Sequence, residues 1–481
     1  MSSAPTPINY RLPQIEQLLQ QSQFDIYIQT LSRPVVRSIM QQTLESIRHR
    51  PTFKTFGCEG IDVHALIERQ CKKIASDKLQ KVINATGTVI HTNLGRSPID
   101  ERIWDSVRDV NTGYNNLEIE LSTGKRGGRK GILRALLREF VGADNALVVN
   151  NNASSLYLLL SELAHGKEVI ISRGEQIQIG GGFRIPDILK LTGAVMVEVG
   201  TTNITTSQDY LEAITENTAM VLMVHQSNFA IQGFTQAPNI AEVAKQLPDH
   251  VLLAVDQGSG LTDEGLGHNE PSAAQYLKWG ADLVCFSGDK IFGGPQSGIV
   301  CGRSDLIERM EKHPMMRTFR PSRIVYSLLE ALLVVKLNQD DAGQGVALRA
   351  VKNEPLIRQR AEALAARFSH YLYAKPMPLV IGGGTLPTVQ YPSYGVAFKP
   401  LNRSVEAISR DLRSCPIPII TTIQNGELLC HFATILESDI AQLNTQLEGY
   451  FASLDADIEA DIEADKLNAS QSVETKMATT P

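Results

Sequence analysis

Lys290 stands in Phe286-Ser-Gly-Asp-Lys290, directly after the apolar run Ala281-Asp-Leu-Val-Cys285 and before Ile291-Phe-Gly-Gly-Pro-Gln-Ser-Gly298. An amine at the end of a buried strand loses the water that stabilises its ammonium form, so it becomes a nucleophile suited to a Schiff base with an aldehyde cofactor. Upstream, His250-Val-Leu-Leu-Ala-Val255 reads as a buried strand ending on Asp256, with Gln-Gly-Ser-Gly260 after it. A carboxylate there can hold a pyridine nitrogen protonated and so make the heterocycle an electron sink. A third element follows the same pattern: strand Asn145-Ala-Leu-Val-Val149, turn Asn150-Asn-Asn-Ala-Ser-Ser155 and a helix from Leu156 to Ala164. Free N–H groups and the positive dipole end of such a helix suit an anion, which makes Asn152, Ala153 and Ser154 candidates for a phosphate; Asn and Ser are also ordinary N-caps. Phosphate cradle, carboxylate and lysine, in that chain order, point to pyridoxal 5'-phosphate in the large domain of an aminotransferase-like enzyme.

These groups need a scaffold that brings them together. Between Asp256 and Lys290 lie a helix-like stretch, Pro271 to Trp279, and one further strand, enough for a single crossover that leaves both groups at one sheet edge. From Val82 to about Arg303 strands and helices alternate: strands Lys167 to Ser172, Ala194 to Val199, Met220 to His225, Val251 to Asp256, Leu283 to Ser287 and Gly298 to Cys301, with helices such as Asp187 to Leu191 and Ile240 to Leu247. This predicts an α/β fold with a mostly parallel sheet covered on both faces. The turn after Lys290 is too short for a crossover, so Gly298 to Cys301 should run antiparallel. Helices Leu12 to Leu19, Pro34 to Arg48 and Ile61 to Ser76 suggest a small helical domain over 1–80, ahead of a cofactor-binding large domain over 81–330. Helices over 322–370, then Tyr394 to Phe398, Val405 to Leu412 and Leu428 to Phe432, suggest a small C-terminal α/β domain over 331–453. Residues 454–481 repeat Asp-Ile-Glu-Ala, have little apolar surface to dock and read as a solvated, disordered acidic tail.

A chain of 481 residues with 43% hydrophobic and 20% charged residues exceeds one core and has the composition of a soluble protein of two or three domains. No apolar run is long enough for a membrane span, and the start carries no secretory pattern. Cys58, Cys71, Cys285, Cys301, Cys415 and Cys430 are scattered without CxxC spacing, which argues for reduced thiols in a cytoplasm and against a metal framework. The net charge of -6 is unevenly spread: from Asp455 on, seven acids oppose two lysines, while residues 1–80 hold ten Arg and Lys against seven Asp and Glu. The amino-terminal segment is the basic part, which leaves an RNA partner open.

Several further segments resemble the bacterial selenocysteine synthase family, L-seryl-tRNA(Sec) selenium transferase, up to about residue 450: Ile83-Asn-Ala-Thr-Gly-Thr-Val-Ile-His-Thr-Asn-Leu-Gly-Arg96, Tyr114-Asn-Asn-Leu-Glu118, Val149-Asn-Asn-Asn-Ala153, Ser172-Arg-Gly-Glu175, Gly180-Gly-Gly-Phe-Arg-Ile-Pro186, Glu198-Val-Gly-Thr-Thr-Asn203, Ser287-Gly-Asp-Lys-Ile-Phe-Gly-Gly-Pro-Gln296 and Gly382-Gly-Gly-Thr-Leu-Pro387. The resemblance implies a fold-type-I pyridoxal phosphate transferase with a tRNA-contacting amino-terminal domain, assembled as a homodecamer in the cytoplasm. The implied reaction serves selenocysteine biosynthesis. The seryl hydroxyl of seryl-tRNA(Sec) is lost by β-elimination to aminoacrylyl-tRNA, and selenium from selenophosphate is added. Lys290 and Asp289 are then the catalytic residues, although Asp289 also suits a turn that steadies the lysine.

Serine esterified to tRNA has no free carboxylate to bind, so spare arginines must serve something else. By resemblance Arg96, Arg317 and Arg320 grip the phosphate of the selenium donor, which their planar forks suit, although Arg317 and Arg320 at i and i+3 could equally form an exposed helix face. His225 and Asn228 are candidates to face cofactor or substrate, Glu175 or Gln176 could lie over the ring, and Arg126 and Arg129 could meet phosphates or a neighbouring subunit. No zinc, Walker or dinucleotide signature is present. Two alternatives remain: a pyridoxal lyase acting on a small amino compound such as a phosphorylated amino sugar, and a tRNA-binding module without chemistry.

Overall fold

The computed structural model describes residues 12–51, 53, 61–129, 131–261, 266, 270–382, 384–386, 388–401 and 403–456; Cys58 and the acidic repeat from 457 on lie outside it. By its internal contacts the chain divides into Met1–Lys81 and Val82–Pro481.

The first unit is helical. In the helix Arg33–Arg48, Val36, Ile39, Met40, Leu44 and Ile47 recur every three or four residues and are buried, with Pro34 in its first turn. They pack with Leu18, Phe24, Ile67 and Cys71 in one small core. Asp62 starts the helix Val63–Ser76 by accepting the Ala65 N–H at 2.9 Å. A helix over Asp25–Leu31 was not expected from the sequence; none of its residues is fully buried, so its periodicity is weak.

The second unit is built on a seven-stranded sheet: β1 Asn145–Val149, β2 Glu168–Ser172, β3 Val195–Val199, β4 Thr218–Val224, β5 Leu252–Gly258, β6 Leu283–Ser287 and β7 Gly298–Gly302, in the order β1-β7-β6-β5-β4-β2-β3. β6, β5, β4, β2 and β3 run parallel to one another, and β7 is antiparallel to both β6 and β1, as the short turn after Lys290 requires. Val148, Ile170, Val221, Val255 and Ile299 enter the core on one face, while Leu147, Val169, Leu222, Ala254 and Val300 enter that on the other. Alternation with both faces covered explains why the middles of these strands are apolar.

A second, antiparallel sheet, β8 Leu372–Pro376, β9 Tyr394–Phe398, β10 Thr422–Gln424 and β11 Glu427–His431, in the order β8-β9-β11-β10, forms the C-terminal lobe. The segment after Val82 does not open the large sheet, as the sequence suggests, but threads into this lobe. Ile83 and Asn84 pair with Ile419 and Ile420, and Ile83, Ala85, Val89 and Ile90 are buried in the lobe's core. The reason is non-local: the Ile90 N–H finds its acceptor on Ile381 at 2.7 Å.

Candidate active site

Asp256 and Lys290 meet at the carboxyl ends of β5 and β6. β5 and β6 are parallel neighbours with Asp256 opposite Cys285, and β5 continues through Asp256 to Gly258 across a register irregularity. Asp256 is 6% exposed. Its Oδ1 accepts Asn152 Nδ2 at 2.7 Å and lies 3.7 Å from the Cys285 thiol. Burial raises the Asp256 pKa against the Asn152 hydrogen bond and the Lys290 charge. For Lys290 burial works the other way, pulling the ammonium's pKa down; Asp256 opposes this, Arg96 adds to it, and Asp289 and Glu270 oppose it more weakly.

Around the amine stand residues from distant segments. A Cβ on Gly384, whose φ is +75°, would lie 3.4 Å from Asn228 Cβ, 3.8 Å from Lys290 Nζ and 4.0 Å from Ser227 Oγ, so the C-terminal lobe reaches the site through a residue without a side chain. His225 donates its backbone N–H to the Asp256 carbonyl at 2.9 Å, and its Nδ1 lies 3.6 Å from Glu270 Oε1. Burial, with help from the Lys290 charge, drops the His225 pKa to about 4, so the ring is neutral near pH 7. Burial pushes Glu270 up to about 7, against its hydrogen bond from Ser259 and the Lys290 charge.

Arg96 arrives from the first segment of the unit. Gly95 and Arg96 both adopt positive φ, 86° and 65°, and the Arg96 N–H closes the turn on His91 O at 3.1 Å. This strained turn sets the Arg96 Nη1 2.8 Å from Asp289 Oδ2, while the Ser97 N–H bonds the Asp289 carbonyl at 3.1 Å. Asp289 thus ties Arg96 to the neighbouring residue, Lys290, that bears the amine.

At the start of the helix Asn152–Leu163, Asn151 is the N-cap, and its side chain accepts the Ser154 N–H at 2.9 Å. The N–H groups of Asn152 and Ala153 are left for an anion, while the Asn152 side chain serves Asp256. β7 comes so close to this loop that a Cβ on Gly298 would lie 2.2 Å from the Asn151 carbonyl oxygen.

Asn152 Oδ1, His225 Nδ1, Asn228 Oδ1, Glu270 Oε2 and Asp289 Oδ1 are buried without a hydrogen-bond partner among the described residues. Such a group of unpaired polar atoms around a lysine, a carboxylate and a helix N-terminus fits a phosphorylated heterocyclic aldehyde. Pyridoxal phosphate has those three features. Residues 82–436 match the family model described as SelA: L-seryl-tRNA selenium transferase. The chain belongs to this family.

Within the L-seryl-tRNA selenium transferase family, the chain is 37% identical over 461 residues to the L-seryl-tRNA(Sec) selenium transferase of Geotalea daltonii, covering 91% of this chain and 98% of that one. It is 38% identical over 394 residues to the enzyme of that name from Aquifex aeolicus, covering 79% and 86%. A solved structure of D-glucosaminate-6-phosphate ammonia-lyase aligns with TM-score 0.54 and 20% identity over 77% of this chain and 95% of that one, a likeness of fold. The fold is that of the fold-type-I pyridoxal phosphate enzymes.

In this family member, Arg317 lies within a short helix and Arg320 is its C-cap. Their short helix, Met316–Phe319, is moored to the phosphate-loop side: Asn150 donates its N–H to Phe319 O at 2.9 Å and its Nδ2 to Thr318 O at 3.1 Å. Arg320 lies 3.8 Å from Glu118, which Arg129 also engages, and Arg317 is exposed. Asn228 Nδ2 donates to Gln178 O at 2.9 Å. Glu175 turns inward to the Val224 N–H at 2.9 Å and the Tyr210 hydroxyl at 3.3 Å, which leaves Gln176, with a buried unpaired Nε2, as the more open of the two. Sequence reasoning missed Glu270 and Cys285. Cys285 lies on a recognised strand beside Asp256, whereas the polar neighbours of Glu270 carry no signal of burial.

Among the described residues no helix is long and apolar enough to cross a membrane, and no cluster of three His, Cys, Asp or Glu could hold a metal.

Proposed function

We propose that this chain converts L-seryl-tRNA(Sec) to L-selenocysteinyl-tRNA(Sec) with selenium from selenophosphate, as a pyridoxal phosphate enzyme working as a cytoplasmic homodecamer. The observation that carries this reading is near full-length similarity to enzymes of that name, at 37% identity over 98% of the relative. Pyridoxal phosphate, when bound, supplies an aldehyde carbon for the seryl amine and a ring that draws electrons from Cα. Lys290 would hold that aldehyde at rest. Burial lowers the pKa of Nζ, which would suit the amine to take the Cα proton of the seryl group. Asp256, fixed at Oδ1 by Asn152, would hold the ring nitrogen, and the N–H groups of Asn152 and Ala153, with the Ser154 hydroxyl, the phosphate. Arg96, aimed by Asp289, would present its fork to the phosphate oxygens of the selenium donor, with Arg317 and Arg320 as further ligands and Asn228 beside the substrate.

Seryl-tRNA(Sec), free serine and a phosphorylated amino sugar should each be offered to the loaded enzyme with selenophosphate. Selenocysteinyl-tRNA should form from the first, with no turnover of the others. Turnover of a small amine and none of the charged tRNA would reassign the chain as a lyase. The basic helical segment 1–80 would contact the tRNA. Deleting residues 1–75 is expected to weaken seryl-tRNA binding by about tenfold or more while cofactor absorption persists; undiminished tRNA affinity would refute that role.

A further inference from the structure

Glu270 is 8% exposed, and only one of its carboxylate oxygens is hydrogen-bonded among the described residues. Ser259 Oγ donates to Oε1, the same oxygen that lies 3.6 Å from His225 Nδ1, while Oε2 is buried and unpaired. His225 Nδ1 is buried and unpaired too, yet the side chain is 24% exposed, so its open part lies on the side away from Glu270. A neutral imidazole needs a partner on one nitrogen to define which carries the proton. Glu270 is the carboxyl group in position to supply it.

We propose that Glu270 is a positioning residue of this site: its carboxylate, 3.6 Å from His225 Nδ1, draws the ring proton to that nitrogen, favours that tautomer and leaves the lone pair on Nε2. The inference rests on the reading of Lys290 as the cofactor-bearing amine. Glu270 is faced by His225 from the end of β4, by Lys290 from the turn after β6, by Tyr276 from the helix Ala273–Lys278 and by Tyr391 from the C-terminal lobe; His225 is faced by Glu270 and Lys290. Lys290 in turn faces Asp256, Asp289 and Arg96. When Glu270 is protonated it becomes a donor to Nδ1, the ring proton moves to Nε2, and the lone pair on the open side is lost. Burial holds that change near pH 7.

The test uses cofactor-free full-length protein, with diethyl pyrocarbonate as the probe of the His225 lone pair, the acylated peptide being quantified by mass spectrometry between about pH 5.5 and 8. In the wild type the acylation rate should fall by up to about tenfold per pH unit below a midpoint near 7, although His225 itself titrates near 4. Glu270→Gln should abolish the step. Ser259→Ala, which removes a hydrogen bond that favours the ionised carboxylate, should move the midpoint upward. A wild type without the step, or a Glu270→Gln protein with an unaltered one, overturns the proposal, the former without relying on any variant. No tRNA or selenium donor is present, so a failed transfer assay with an intact step would count against the proposed function and leave the Glu270 pair standing.

Discussion

Lys290→Ala is expected to lower turnover by about 10³-fold or more, while the variant keeps its fold and its affinity for charged tRNA. One nitrogen has two duties here, attachment of the aldehyde and handling of the Cα proton, and truncation removes both. Lys290→Arg separates charge from chemistry, because a guanidinium keeps the cation but cannot be deprotonated in a protein. It should be as inactive as the alanine variant. Borohydride reduction of the loaded wild type, followed by digestion and mass spectrometry, should find the pyridoxyl group on Lys290, with no label in Lys290→Ala. A label on another side chain, or a Lys290→Arg enzyme with near-normal turnover, would remove the basis of the mechanism.

The apolar runs of the large sheet were legible because six of the seven strands are largely buried, the edge strand β3 being partly exposed, and are flanked by turn residues, and the reversed β7 followed from the short connection after Lys290. Strand ends are where side chains become available for chemistry, so the pairing of Asp256 with Lys290 followed from strand order. What escaped depends on contacts distant in the chain. Ile83 to Ile90 look like any apolar segment, and their place in the C-terminal lobe is set by residues 380–381 and 419–420. Within Asn150-Asn-Asn152 the three side chains divide among Thr318 O, the Ser154 N–H and Asp256, and composition cannot apportion them. Glu270 sits in a polar stretch, and its burial comes from Ser259 and the end of β4.

Asp256→Asn is expected to lower turnover by about 10²- to 10³-fold, the range seen when one preorganised electrostatic partner is removed. The side chain is nearly isosteric, and its Oδ1 can still accept Asn152 Nδ2, so the loss reports the charge opposite the ring nitrogen. The same substitution should act oppositely on the empty protein. Burial raises the Asp256 pKa above its unfolded value, so its contribution to stability is full below the unfolded pKa of about 3.9 and is lost as pH rises through the folded value. Cofactor-free Asp256→Asn should therefore melt higher than cofactor-free wild type at pH 7, with the gap closing as the pH falls toward about 4. Added pyridoxal phosphate should reverse the order, because the cationic ring then compensates the buried carboxylate in the wild type and has no counter-charge in the variant. Melting curves with and without cofactor at the two pH values measure all four terms. If the variant is no more stable when empty, or gains as much from the cofactor as the wild type does, then the carboxylate at 256 is not the partner of the ring.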